Sequence, residues 1–157
     1  MADTHDNLKA TEKAVDFFNK EAVDHVLHAG DLVSPFTVNK FENLEAEFHF
    51  VWGNNEGDHF HIRNNFKDIG IEPEGDFSSL EFSGRKIALL HGENEEIVDA
   101  LSESGVYDVV IRGHTHEPEI RENPLVINPG ATSGYLSDSK TVVLLDTKDL
   151  EPELIEI

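Results

Sequence analysis

The chain has 157 residues, 38% of them hydrophobic, with 32 acidic against 12 basic side chains and a formal charge of −20. This length suits one domain over residues 1–157, and the absence of cysteine excludes disulfides, thiolate-bound zinc and a cysteine nucleophile. With no apolar run near the roughly 18 residues of a membrane span and no basic-then-apolar leader, no membrane partner is expected and the cytoplasm is the default compartment.

In chain order, Leu8, Ala14, Val15 and Phe18 fall near helical spacing over residues 7–20, with Asn7 as N-cap. Residues 24–29 read as a short buried strand ending at Gly30-Asp31. Ser34-Pro35 then opens a helix predicted to run to about Ala46. Residues 47–52 alternate like a strand and end at Gly53-Asn54, and a polar helical segment follows to about Asp68. Residues 76–82 and 85–90 flank Ser83-Gly84, a hairpin signal. A helix over 94–104 is closed by Gly105, and the strand VYDVVIR ends at Gly113-His114. Short strands near 118–122 and 125–128 precede TVVLLDT and a final LIEI. Strand–helix alternation followed by hairpins predicts an α/β (α+β) fold of two mixed β-sheets packed together and flanked by helices, a four-layer αββα sandwich.

The charge bears on partners and habitat. Acidic residues are spread along the whole chain, leaving no basic stripe to neutralise phosphates, which argues against nucleic acid. Their spread, with lysine sparse, points to a halophilic protein working where molar salt shortens the Debye length to about 3 Å.

The chemistry is positional. Asp31, Asn54, His91 and His114 each follow a predicted apolar strand, and each has a neighbouring glycine: Gly30, Gly53, Gly92 and Gly113. Strand ends on one edge of an α/β core are where sites assemble. Asp3-x-His5 and His114-x-His116 add two pairs at spacing i, i+2, which point to one side in extended chain. Carboxylate, amide oxygen and imidazole suit Mn²⁺, Fe²⁺, Co²⁺, Ni²⁺ or Zn²⁺ better than Ca²⁺.

DTHDN at 3–7, GDLV at 30–33, GNNE at 53–56, HGEN at 91–94 and GHTH at 113–116 together resemble the motif series of the calcineurin-like metallophosphoesterases. The order and spacing are most similar to the short single-domain archaeal and bacterial phosphodiesterase branch, over nearly the whole chain. Asn128-Pro129-Gly130 also resembles a loop of that branch, which usually continues with serine where Ala131 stands here. The resemblance implies two divalent metal ions, Mn²⁺ foremost. Asp3, His5, Asp31 and His116 would hold one, and Asp31, Asn54, His91 and His114 the other, with Asp31 bridging. It further implies hydrolysis of a small-molecule phosphate ester, most readily a diester. The ions would lie roughly 3.5–4 Å apart, and a hydroxide bridging them would attack phosphorus in line. Asp31, Asn54 and His91 would then act in catalysis, through that hydroxide and through phosphate positioning. The rival is a non-catalytic binding module of the same fold, like the retromer subunit. Seven positions carrying competent ligand types favour the enzyme.

Two departures from the pattern stand out. Many relatives have histidine at Asn55, a position taken to protonate the leaving group, and asparagine cannot do so. His59 and His61 are the nearby candidate acids. The family also reaches its first Asp-x-His through a central apolar strand, whereas only Met1 and Ala2 precede Asp3 here. A truncated first strand would leave Asp3 near a frayed end, with a weakly bound metal. Its unpaired neighbours could recruit another chain, so a homo-oligomer stays open. His25, His28 and His49 are expected to be packing or surface residues.

Overall fold

The computed structural model describes residues 1–137 and 139–157. Helix α1 (Leu8–Glu21) begins where expected because Asn7 Oδ1 accepts the Ala10 amide at 3.2 Å, and it buries Ala14, Val15 and Phe18 on one face. Strand β1 (His25–His28) pairs in parallel with β2 (Glu47–Phe50). Between them the predicted long helix is replaced by a single turn, α2 (Pro35–Val38), and a 3₁₀ turn over Asn39–Phe41. The cause is tertiary: Asn19 of α1 donates to Asn43 O at 2.8 Å and accepts from Glu45 N at 2.9 Å, satisfying backbone groups that would otherwise continue the helix. Ser34 does not cap α2 either; its amide and hydroxyl both donate to Asp6.

After α3 (His59–Asp68, capped by Asp58), the hairpin β3 (Phe77–Phe82) and β4 (Arg85–Leu90) turns through Ser83 and Gly84, both at positive φ as a two-residue hairpin turn requires. Helix α4 (Glu95–Glu103) then leads to β5 (Val109–Ile111), β6 (Pro118–Arg121) and β7 (Leu125–Pro129). These strands make a five-stranded mixed sheet in the order β3-β4-β5-β7-β6, with β4, β5 and β7 parallel at its centre. The antiparallel ribbon of β8 (Thr141–Asp146) and β9 (Glu151–Glu156) ends the chain.

The second sheet is assembled differently from the expectation. β1–β2 and β8–β9 are separate two-stranded ribbons that are not hydrogen-bonded into one sheet. Val26 and Val142 pack with α1 in one cluster, while Leu27, Val143 and Leu145 pack against Ile87 and Ile127 of the five-stranded sheet in another. Residues 1–3 lie between the end of β1 and the loop after β7 and are bonded on both sides. Ala29 N donates to Met1 O and Asp3 N to Gly30 O, while Thr132 N donates to Ala2 O and Ser133 N to Asp3 O. Asp3 is therefore fully buried, which corrects the expectation of a frayed ligand. Past Met1 the gap widens into a cavity of about 790 Å³ lined by Phe18, Leu27, Ile87, Ile127 and Val143.

The α1-side core is rich in aromatics: Phe41, Phe48, Phe50 and Phe66 pack with ring centroids 4.4–6.5 Å apart. Among the described residues no helix is long and apolar enough to cross a membrane.

Candidate metal centre

β1, β2, β4 and β5 all end at the same edge, and the loops leaving them carry Asp31, Asn54, His91 and His114-Thr115-His116. Two glycines permit this convergence. Gly30, at φ +88°, lies so close to the β2 loop that a Cβ there would be 2.8 Å from Gly53 Cα and from His91 Nδ1. At Gly53 a Cβ would come within 2.2 Å of Asp31 Oδ1. Asp3, His5, Asp31, His114 and His116 themselves have positive φ. Left-handed backbone at non-glycine residues costs on the order of 1–3 kcal/mol each, and such strain concentrates at functional sites.

All seven motif residues come together, in two groups. His5 Nε2 lies 3.0 Å from His116 Nε2, 3.7 Å from Asp3 Oδ1 and 3.4 Å from Asp31 Oδ2, and His116 Nε2 is 3.5 Å from Asp3 Oδ1. On the other side, Asn54 Oδ1 is 2.9 Å from His91 Nε2 and 3.0 Å from His114 Nδ1. His91 Nε2 is 3.4 Å from Asp31 Oδ2, the atom the two groups share. Around a cation with ligand bonds of about 2.1 Å, donor–donor separations run from about 3.0 Å at octahedral edges to about 3.4 Å at tetrahedral ones. Most of these spacings fit that range, and several exceed a normal hydrogen bond.

One atom tests the fit directly. Asp3 Oδ1 is buried without a hydrogen-bond partner, and a carboxylate oxygen left so carries a desolvation cost that a cation in the cage would remove. The donor set suits divalent metal ions, which Asp3, His5, Asp31 and His116 could hold on one side and Asp31, Asn54, His91 and His114 on the other.

The surroundings orient the donors. His91 Nδ1 donates to Ala29 O and His116 Nδ1 to Tyr135 O, both at 2.8 Å, so each Nε2 lone pair faces the cage. Burial opposes ionisation of Asp31, yet the adjacent His91 imidazole and the hydrogen bonds from Asn55 outweigh it and hold its carboxyl well below the usual carboxylate range. His5 is pulled up by its contact with Asp3 and the nearby Asp31 charge. For His91, burial lowers the value, but Asp31 and Ala29 O outweigh it and the net shift is upward. Asp3, Asp31, His91 and His116 form a buried floor, whereas Asn54 is exposed and His5 and His114 half-buried, leaving that side open to a ligand.

Three residues matter here in ways not foreseen. Asn55 clamps Asp31, its amide donating to Oδ1 at 2.8 Å and its Nδ2 to Oδ2 at 2.7 Å. Glu56 is not part of a helix start: its two buried oxygens accept from Leu32 N and Gly53 N, both at 2.7 Å, tying the loops after β1 and β2 together. Arg112 donates to Gly92 O and Gly113 O and pairs with Glu95, bracing the loops of His91 and His114. A buried arginine closing the apolar run VVIR was the available signal. Asn128 is fully buried and donates to Gly113 O and Thr115 Oγ1, so it supports the His114 loop. His59 and His61 are not drawn in: His59 stacks on Trp52 at 4.3 Å, His61 is bound by Asp58 at 2.7 Å, and neither hydrogen-bonds to any of the seven.

Residues 1–150 match the calcineurin-like phosphoesterase superfamily domain. A phosphodiesterase of Methanocaldococcus jannaschii is 43% identical over 154 residues, covering 96% of this chain and 93% of that protein. The structure of a novel archaeal phosphodiesterase matches with a TM-score of 0.94 at 41% identity, over 100% of this chain and 97% of the other. Vps29 of Chaetomium thermophilum shares the fold at TM-score 0.73 and 14% identity, over 100% and 93% of the two chains. Motif order, strand-end geometry and these likenesses agree: the chain belongs to the calcineurin-like phosphoesterase superfamily.

Proposed function

We propose that this protein is a divalent-metal-dependent phosphodiesterase acting on a small phosphate ester, with Asp3, His5, Asp31, Asn54, His91, His114 and His116 as its metal ligands. The observation that carries the reading is the position of Asp31 Oδ2, 3.4 Å from both His5 Nε2 and His91 Nε2 where the two donor groups meet. Divalent ions held there would lower the pKa of bound water towards about 7 and neutralise charge on phosphoryl oxygens. The remaining work falls to the chain. Asp31 stays ionised between the groups, clamped by Asn55. Asn54 and His114 stand at the open side, where the phosphate of a substrate can enter. Two divalent ions held by Asp3, Asp31 and the neutral donors would leave the cage net positive, which would favour a phosphodiester monoanion despite the acidic surface.

Asn55 cannot deliver a proton. We therefore assign the enzyme to esters whose leaving groups depart with little protonation, with His59 and His61 as secondary candidates for a general acid. Mn²⁺ is the favoured ion and Ni²⁺ the next, from the mixed oxygen and imidazole donors. The chain works as one domain over residues 1–157, in the cytoplasm, and its −20 charge fits a halophilic setting. The full set of donor residues supports an enzyme over a non-catalytic binding module of the same fold. In the decisive test, Mn²⁺ or Ni²⁺ supports hydrolysis of bis-p-nitrophenyl phosphate, and Asp31→Ala and His91→Ala each abolish it. Undiminished turnover by Asp31→Ala would overturn the proposal.

A further inference from the structure

At the opposite ends of β1 and β2 from the candidate metal centre, a second group of donors converges. The parallel register sets His25 of β1 beside Glu47 of β2, and His49, two residues further along β2, points to the same face. His25 Nδ1 lies 3.5 Å from Glu47 Oε2, His49 Nε2 lies 3.8 Å from Glu47 Oε1, and the two imidazole nitrogens are 3.4 Å apart. One ligand atom from each residue falls within 4.8 Å of the other two.

These separations leave room for a cation between the donors. A hydrogen-bonded ion pair closes to about 2.7–3.2 Å, and His49 Nδ1 comes to 2.6 Å from Glu74, while looser surface pairs such as Arg63–Glu72 stand at 3.5 Å. The three contacts among His25, Glu47 and His49 are longer than a hydrogen-bonded pair, and near the donor–donor edges of about 3.4 Å expected around a tetrahedral cation. They also repeat the spacing of the first centre, where His5–Asp31, His116–Asp3 and His5–Asp3 stand at 3.4, 3.5 and 3.7 Å.

The surroundings are those of a ligand set. The carboxylate of Glu74 holds His49 Nδ1, which leaves Nε2 directed at His25 and Glu47, the carboxylate–histidine arrangement that orients metal-bound imidazoles. His25 stacks on Phe82 of β3 with ring centroids 4.1 Å apart, fixing the plane of its ring. The backbone beneath is a paired ladder, so the donors sit on rigid elements. Glu47 is exposed, which leaves an entry path and room for water at a fourth position.

We infer that His25, Glu47 and His49 form a second, mononuclear site for a borderline divalent cation of the Zn²⁺ class, joining β1 to β2 away from the phosphoesterase centre. Two imidazoles and one carboxylate are a zinc-type donor set with one position open. The site is independent of the proposed activity, because none of its residues contacts the seven motif side chains.

The test uses the full-length protein with Zn²⁺ as the probe. Crystals grown with Zn²⁺ and measured at the zinc absorption edge should show an anomalous peak between His25, Glu47 and His49; no peak there overturns the inference. In equilibrium dialysis at pH 8 and matched free Zn²⁺, His25→Gln and Glu47→Gln should each bind one equivalent fewer than the wild type. Both substitutions lie on accessible side chains, and circular dichroism verifies that each variant is folded. Equal metal counts in all three proteins would refute the site.

Discussion

Replacing Gly53 by alanine probes the architecture of the centre without removing a donor. Gly53 is not at positive φ, so alanine meets no conformational penalty there and its effect is purely steric. The new Cβ would stand 2.2 Å from Asp31 Oδ1 and 2.5 Å from Asp31 N, so one partner must retreat by at least about 0.8 Å to reach the closest approach that real Cβ atoms show. Asp31 cannot simply rotate away, because Asn55 holds both of its oxygens and the backbone nitrogen clashes too. Overpacking of this kind costs about 1–3 kcal/mol, which for a domain near 150 residues lowers Tm by roughly 2–4 °C per kcal/mol. The functional loss should be larger, since a misplacement of about 1 Å at reacting groups costs on the order of a hundredfold in rate. Gly57→Ala is the matched control: its Cβ would make only an ordinary 3.7 Å contact with Val33 O. The assay is Mn²⁺-dependent turnover of bis-p-nitrophenyl phosphate, with metal affinity by calorimetry and folding by circular dichroism. A folded Gly53→Ala protein with metal affinity and kcat/KM matching Gly57→Ala would refute the steric account.

Glu56→Gln leaves one of the amides of Leu32 and Gly53 without an acceptor, at a cost of about 1–3 kcal/mol; a thermal melt should fall by several degrees and metal affinity should drop, whereas an unchanged melt contradicts the bracing role. Metal affinity should weaken as pH falls from 8 to 6, because His5 and His91 hold their protons above the ordinary imidazole range and a ligating imidazole must be neutral. Calorimetry at three pH values would expose a flat profile if this is wrong. In the metal-free protein the sign reverses: folded values raised above the unfolded one give stability that is full below about pH 6.5 and lost as pH rises through the folded values. Finally, raising KCl from 10 mM to 1 M shortens the Debye length from about 30 to 3 Å. The −20 chain should then melt at higher temperature, and equal melting points at both salts would remove the halophile argument.

The order of elements and the identity of the converging side chains were legible in the sequence because both are local. Helical and alternating periodicity mark which faces are apolar, and a glycine beside a polar residue at a strand end marks where the chain leaves the core. Asp31, Asn54, His91 and His114 needed nothing more than that to be singled out. Tertiary structure alone decided how those pieces are braced. Asn55 looked like a lost acid but clamps Asp31, Glu56 joins two loops instead of starting a helix, and Asn19 halts a helix 24 residues along the chain. Whether Asp3 frays or is gripped depended on residues 29–30 and 132–133 meeting it from both sides. His25 and His49 became neighbours only through the register of β1 on β2. Each of these outcomes depends on the register and packing of segments distant in the chain, and periodicity within a segment carries no information about which distant backbone group will face it.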